Sequence, residues 1–389
     1  MGQVEPVEII EDGLLLRPWR ETDADAVHRA CQDPDIQRWT TVPRPYRPEH
    51  AHGFVADLSP AAWRDGTGAP FAVCDAGTGE LLASCGLVSL DRATASGEVG
   101  YWVAPWARGR AVAVRATRAV ARWAFEALKL RRLIWQAAIG NHASRLVALR
   151  SGFRVEGELR LACPAPDGRR EGWIGSLFPG EVPPPGEPGP AGPGSPEARR
   201  AAVFGRPQPT LFATVRGAEL RLRPMEERDL DAITETCRDL DTIAWTTVPV
   251  PYERAHAGGF KRDFAEAAWA RGTGAYFTIA DADDRYVGSV DLRILAADPA
   301  QGMVGFMTAP HARGRGYMPA ATAALAAWGF TTLGLARVEW RALVGNTASR
   351  RVAEKAGFTL EGVARGALVD RDGGRVDAWV ASLLPGDLT

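Results

Sequence analysis

The chain has 389 residues, enough for two domains that each bury their own core. With 46 Lys and Arg against 47 Asp and Glu, its net charge of −1 gives no global attraction to nucleic acid or to an anionic membrane. No apolar run approaches the roughly 18 residues of a membrane span, and the opening MGQVEPVEIIEDG is acidic, without the apolar core of a secretory signal. A cytoplasmic location with no nucleic-acid or membrane partner is expected.

The sequence repeats itself. Residues 17–46, RPWRETDADAVHRACQDPDIQRWTTVPRPY, match residues 223–252, RPMEERDLDAITETCRDLDTIAWTTVPVPY, at 16 of 30 positions. The echo returns as GNHASRLVALRSGF at 140–153 and GNTASRRVAEKAGF at 345–358. Solenoid repeats run about 20–50 residues, so this is a duplicated domain. Residues 180–197, GEVPPPGEPGPAGPGSPE, are dense in Pro and Gly and read as an extended linker. The expected organisation is a first domain at 8–179, a linker at 180–208 and a second domain at 209–389.

Each half follows one order of elements. A short strand ends in Arg-Pro (LLLRP at 14–18, LRLRP at 220–224), and an acid-rich start opens the first helix. The WTTVPxPY segment follows, then a second helix over about 48–66 and 254–271, then two strands. A further strand, EVGYWVAP at 98–105 and MVGFMTAP at 303–310, runs into a basic glycine loop and a long helix over about 111–129 and 317–333. A strand, a short helix after an Asn and two last strands complete the half. This order predicts an α+β fold with a central mixed sheet.

The strand–loop–helix unit carries the chemistry. The loops read APWARGRAVAVRA and APHARGRGYMPAA. A loop that opens a helix presents unpaired backbone N–H groups and the positive end of the helix dipole. Small residues let that backbone approach an anion, and Arg adds bidentate phosphate contacts. A pyrophosphate cradle is expected. It is neither a Walker A loop, since no GK[ST] follows, nor a Rossmann fingerprint. The cysteines (Cys31, Cys74, Cys85, Cys163, Cys237) and the six histidines show no ligand spacing, so no metal is expected. Arg115, Arg118 and Arg122 fall on one helix face and read as a solvated stripe, one of which could touch a further phosphate.

An Arg-Gly-Arg-Gly/Ala loop between a strand and a long helix, followed by a strand, Asn-x-x-Ser and Gly-Phe, resembles the GNAT acetyltransferase superfamily. The opening Leu-Arg-Pro, the first helix and the Asn-x-x-Ser…Gly-Phe block resemble its Rim-type enzymes, which acetylate ribosomal-protein N-termini. The resemblance covers both halves and implies two GNAT-like domains, each a central, splayed mixed sheet flanked by helices. It also implies an acyl-CoA donor, acetyl-CoA first, with no metal. The pyrophosphate would lie on Arg108, Gly109, Arg110, Ala111, Val112 and Ala113, and on Arg313, Gly314, Arg315, Gly316, Tyr317 and Met318. Backbone near Val103 and Thr308 would pair with the pantetheine arm, and Asn141 and Asn346 would hold it. Ser144 and Ser349 would sit near the thioester sulfur as proton donors, although Ser is also a common helix cap.

The family's usual base is a carboxylate on the strand before the loop. Glu98 stands there in the first half and Met303 in the second, where Asp291 on the neighbouring strand is a possible replacement. The first half keeps the carboxylate but has Ala111 for a loop glycine; the second keeps Gly316. Trp39, Thr40, Thr41 and Tyr46, with Trp245, Thr246, Thr247 and Tyr252, form the loop where the family binds acceptors, or else are core aromatics and their neighbours. The expected acceptor is a primary amine, on a small molecule or a protein N-terminus. One active and one degenerate domain, as in mycothiol synthase, a non-catalytic acyl-CoA sensor, and one domain serving only as structural partner stay open. The charge-free helix at 317–333 suggests an intramolecular pseudo-dimer of the two domains.

Overall fold

The computed structural model describes residues 3–165 and 168–388, and the chain divides into two compact units, Met1–Ala198 and Arg199–Thr389. The first opens with a hairpin of β1 (Ile9–Glu11) and β2 (Leu14–Pro18). Asp12 and Gly13 form its two-residue turn with φ of 55° and 75°, the conformation that matches strand twist. Leu14 and Leu16 are buried. Helices α1 (Ala24–Cys31) and α2 (Pro34–Trp39) follow. Next come α3 (Pro48–Gly53) and α4 (Ser59–Asp65), joined by a π-helical turn at Phe54–Leu58 and ended by Gly66 at a φ of 67°. Strands β3 (Ala69–Asp75), β4 (Leu81–Asp91) and β5 (Ser96–Val103) lead to α5 (Val112–Glu126). The unit closes with β6 (Arg132–Ala138), α6 (His142–Arg150), β7 (Arg154–Ala165) and β8 (Gly168–Leu177), and α7 (Pro196–Phe204) continues into the second unit.

The eight strands form one sheet in the order β1-β2-β3-β4-β5-β6-β8-β7. Every neighbouring pair is antiparallel except β5 and β6. A parallel pair needs a crossover, and α5 supplies it. Its inner face, including Val112, Ala116, Ala119, Val120 and Ala124, is buried in a core shared with Leu87, Val99, Leu133 and Trp135. The sheet therefore separates the α5 side, which Trp63 of α4 also joins, from the side covered by α1 to α3, where Trp19, Val27, Ile36 and Val55 make a second cluster.

The second unit repeats this plan. It has β9 (Leu211–Val215), β10 (Ala218–Arg223), α8 (Leu230–Arg238), α9 (Leu240–Trp245), α10 (Arg254–Gly259) and α11 (Ala267–Arg271). Then come β11 (Gly274–Ala280), β12 (Tyr286–Ile294), β13 (Gln301–Thr308), α12 (Tyr317–Trp328), β14 (Arg337–Leu343), α13 (Thr347–Lys355), β15 (Thr359–Val369) and β16 (Arg375–Leu383). The sheet order is the same, with β13 and β14 as the parallel pair. The Arg-Pro strand ends have a structural purpose in both units. Arg17 grips Asp23 with two hydrogen bonds of 2.8 Å, and Arg223 grips Asp229 at 2.8 and 2.9 Å. Each buried pair fixes the strand to the turn that starts the first long helix.

Two expectations change. The segment at 180–197 is not merely extended chain. Arg118, buried in α5, donates to the carbonyl oxygens of Arg150, Pro184 and Glu187, and Arg150 donates to that of Ala191 at 2.8 Å. At Gly189, with φ of 72°, a Cβ would stand 2.5 Å from the Arg150 carbonyl oxygen, so glycine here permits close approach. The arginine stripe is likewise engaged: Arg115 donates to the Asp12 carbonyl, and Arg122 pairs with Glu11 and donates to the Pro183 carbonyl.

Candidate functional site

The parallel strands part early. β5 pairs with β6 only from Ser96↔Arg132 to Val99↔Trp135, yet its other edge stays paired with β4 out to Val103. The β6-facing edge of residues 100–103 is therefore left open. β13 and β14 do the same: pairing stops at Val304↔Trp340, while β13 continues beside β12 to Thr308. An open strand edge offers its backbone groups to an extended, amide-bearing ligand. Val103 and Thr308 lie at the far ends of these open arms.

Each arm leads into the basic loop. Gly109 and Ala111 have φ of 77° and 54°, and Gly314 and Gly316 have φ of 77° and 82°. This double left-handed turn aims the first N–H groups of α5 and α12 outward, and no side chain caps either helix. Val112, Ala113 and Met318 bury their side chains, so only their backbone faces the loop. Ala111 occupies a conformation that favours glycine by about 1 kcal/mol. Ala111→Gly should raise the stability of the intact protein by about 0.5–1 kcal/mol in chemical denaturation. The converse Gly316→Ala should lower it, since its φ of 82° lies where L side chains are strained.

The loop arginines divide into two kinds. Arg108 is held by Asp33, at 2.5 and 3.2 Å. Asp33 also caps α2, accepting from the N–H groups of Asp35 and Ile36 at 3.0 Å. Burial alone would raise the Asp33 carboxyl, but Arg108 and the Ile36 N–H hold it below the usual range. Arg313 is bound in the same way by Asp239, the α9 cap, and by Asp241 and Thr242. These arginines brace the loop. Arg110, 3.7 Å from Asp75, and Arg315, without an ionic partner among the described residues, are the freer cations. Arg315 lines a cleft of about 290 Å³ with Val215, Arg216, Ala218, Gly314 and Tyr317. The aspartate braces lie 75 and 74 residues from their arginines in the chain, so no local sequence pattern joins them.

At the fork itself, Asn141 and Asn346 cap α6 and α13, accepting from the N–H groups of Ser144 and Ser349 at 3.1 and 3.0 Å. The serines are thus in the first turns and the asparagines are the caps. Trp135 Nε1 donates to Ser144 Oγ at 3.0 Å, and Trp340 Nε1 to Ser349 Oγ at 3.2 Å. Tyr101, which the sequence did not single out, places its hydroxyl 3.1 Å from Ser144 Oγ.

On the opposite face of β5, Glu98 is half-buried and has no hydrogen-bonding or ionic partner among the described residues. Burial raises its pKa above the ordinary carboxylate value. A half-buried, unpaired carboxyl with a raised pKa suits proton abstraction. Asp291 pairs across the strands with Gly305, on the face that holds Met303. Burial raises it too, against the pull of Arg293, whose Nε is 2.8 Å away.

The Thr-Thr loops border this face. Trp39 stands over the β6–α6 turn, where a Cβ on Gly140 would lie 3.3 Å from its ring, and Trp245 has the matching position over Gly345 at 3.5 Å. Arg38 and Arg170 approach the Trp39 ring at 4.6 and 5.7 Å. The hydroxyls of Thr40 and Thr246 bond back to Ile36 and Thr242 at 2.6 and 2.7 Å, while Thr41 and Thr247 are exposed. Tyr46 and Tyr252 are buried, each against a histidine, His50 or His256. They support the loop from beneath. The described residues hold no cluster of three or more metal-ligating side chains, and no helix among them is long and apolar enough to cross a membrane.

The sequence model of the acetyltransferase (GNAT) domain matches residues 13–154 and again residues 219–359. "Putative ribosomal N-acetyltransferase YdaF" of Bacillus subtilis (strain 168) is 40% identical over 79 residues, which is 20% of this chain and 43% of that relative. "Uncharacterized N-acetyltransferase YoaA" of the same organism is 27% identical over 151 residues, 38% of this chain and 84% of the relative. Among solved structures, Mycobacterium smegmatis RimJ in complex with CoA-disulfide covers 46% of this chain and 88% of its own, at 22% identity and a TM-score of 0.42. The chain belongs to the GNAT family of N-acetyltransferases and carries that family's domain twice.

Proposed function

We propose that this protein moves an acyl group, acetyl first, from acyl-CoA to a primary amine by direct attack of the amine on the thioester. The observation that carries this is the fork. In both units a parallel strand pair opens after four residue pairs, and one arm ends in a left-handed basic loop feeding an uncapped helix. The open edges at Val103 and Thr308 fit the amides of a pantetheine arm. The loop N–H groups with Arg110 and Arg315 fit a pyrophosphate, while Arg108 and Arg313 keep the loop in shape. Glu98 takes the amine proton, and Ser144 or Ser349 faces the leaving sulfur. No covalent enzyme intermediate is needed. A protein N-terminus is the leading acceptor class, in keeping with the ribosomal acetyltransferase among the relatives. A small-molecule amine is the other.

Isothermal titration with acetyl-CoA on the intact chain tests the donor. Binding should weaken about tenfold or more at one site with Arg110→Glu and at the other with Arg315→Glu, since each reverses a charge beside a phosphate. Absence of binding by the wild-type chain would sink the acyl-CoA reading. One further reading has its own support: Glu98 is matched by Met303, which favours one catalytic and one degenerate domain. Turnover with any amine would argue against a pure acyl-CoA sensor.

A further inference from the structure

Both arms of the first fork converge on a single hydroxyl. Trp135 is the last β6 residue paired with β5, and its indole N–H donates to Ser144 Oγ. Tyr101 lies just past Val99, the last β5 residue so paired, and its phenol reaches across the opening to Ser144. The phenol Oη is 3.0 Å from the Ser144 carbonyl oxygen and 3.1 Å from Ser144 Oγ. An indole N–H can only donate. Ser144 Oγ therefore accepts from Trp135 and keeps its own proton to give. The phenol bonds the carbonyl while Ser144 is protonated, and a small rotation turns it to Oγ.

A lone seryl hydroxyl is a poor acid, because the alkoxide left behind is strongly basic. A phenol, with an ordinary pKa near about 10, carries negative charge far more readily. Resting on the acyl-transfer reading above, we propose that Tyr101 is a positioning residue that resupplies the proton Ser144 gives to the departing thiolate, so that acyl transfer is carried by the first unit. As the C–N bond forms and the C–S bond breaks, the amine proton passes to Glu98. The Ser144 proton passes to sulfur and the Tyr101 proton to Ser144. Solvent then returns the proton on Glu98 to the phenolate. Burial raises the Tyr101 pKa, against the hydrogen bond with Ser144, so the phenol holds its proton until Ser144 gives up its own, and it remains a better donor than an isolated seryl hydroxyl.

The second unit lacks this supply. Trp340 still donates to Ser349, but Phe306 stands where Tyr101 does, and Met303 where Glu98 does. Its nearby Asp291 is tied to Arg293.

Tyr101→Phe in the intact chain is the test, and the Phe306 of the second unit shows that the site accepts this ring. With acetyl-CoA and a peptide bearing a free N-terminal amine, kcat should fall about 10²-fold. KM for acetyl-CoA, and the calorimetric Kd for CoA, should stay within about twofold, because no phosphate or amide contact is lost. Tyr101→Phe added to Ser144→Ala should lower kcat no further, as expected for two groups on one proton path. Wild-type kcat in Tyr101→Phe, additive losses in the double variant, or a loss of CoA affinity equal to the loss of rate would each overturn the proposal. Absence of acyl transfer by the wild-type chain would instead overturn the function on which it rests.

Discussion

Glu98→Gln should reduce kcat by about 10²–10⁴-fold while leaving acetyl-CoA binding intact. The amide keeps the size of the side chain and removes its ability to take a proton. Glu98 works as a base only when ionised, and burial raises its pKa. The acid limb of the wild-type kcat/KM profile should therefore lie above the ordinary glutamate value of about 4.3. The residual activity of Glu98→Gln should lack that limb. A rate within twofold of wild type would move the base elsewhere, with Asp291 the first position to examine by Asp291→Asn. Those two substitutions, measured on one acceptor, separate the units: only one should remove most of the rate.

The largest stability effect is expected at the buried Arg–Asp pairs. Asp23→Ala and Asp229→Ala should each destabilise the protein by about 3–5 kcal/mol, because a buried guanidinium is left without its partner. Arg17 and Arg223 are each 6% exposed. Neither can swing into solvent without opening the core. The second pair has more support, since Thr278 Oγ1 also donates to Asp229 at 3.1 Å and Arg223 Nε donates to Asp284 at 3.1 Å. Burial would raise the Asp229 carboxyl, yet hydrogen bonds from Arg223 and the Glu226 N–H hold it below the usual aspartate range. A carboxyl lowered on folding contributes stability above its unfolded pKa, about 3.9, and loses it as pH falls through the folded value. Wild-type stability should thus decline below about pH 4, and Asp229→Asn should flatten that decline. Denaturant melts at several pH values check both points; an unshifted midpoint for Asp229→Ala would contradict the buried pair.

Much of the local architecture around this site is legible in the sequence. The strand, basic loop and long helix stand where their residues placed them, because an Arg-Gly-Arg turn next to an apolar helix start has few other uses. The serines and tryptophans also come together, since Asn-x-x-Ser after a strand sets a helix cap and its first turn. The braces on Arg108 and Arg313 were not legible. A carboxylate that caps a helix looks complete in sequence, and nothing local says that it also holds an arginine far along the chain. Tyr101 was hidden for a similar reason. Strand alternation gives its face, but only the early parting of β5 and β6 reveals that its hydroxyl crosses a gap. β1 spans Ile9–Glu11, too short for a two-residue period to register. The segment at 183–191 misled because proline and glycine imply looseness by composition, while here glycine permits contact with Arg118 and Arg150.

Gly86 occupies in β4 the place that Asp291 holds in β12, and the two places are not equivalent in space. A Cβ added at Gly86 would lie 2.2 Å from the Ala69 carbonyl oxygen and 2.8 Å from Pro70 Cα, and backbone cannot step aside for it. Gly86→Asp, which would give the first copy a carboxyl at that place, is therefore barred by backbone. The reverse route, Met303→Glu, meets no such wall, since Met303 is half-buried at a strand position like that of Glu98. The two copies are thus unequal as starting points: a carboxyl fits the second at the place of Glu98, while backbone bars one from the first at the place of Asp291.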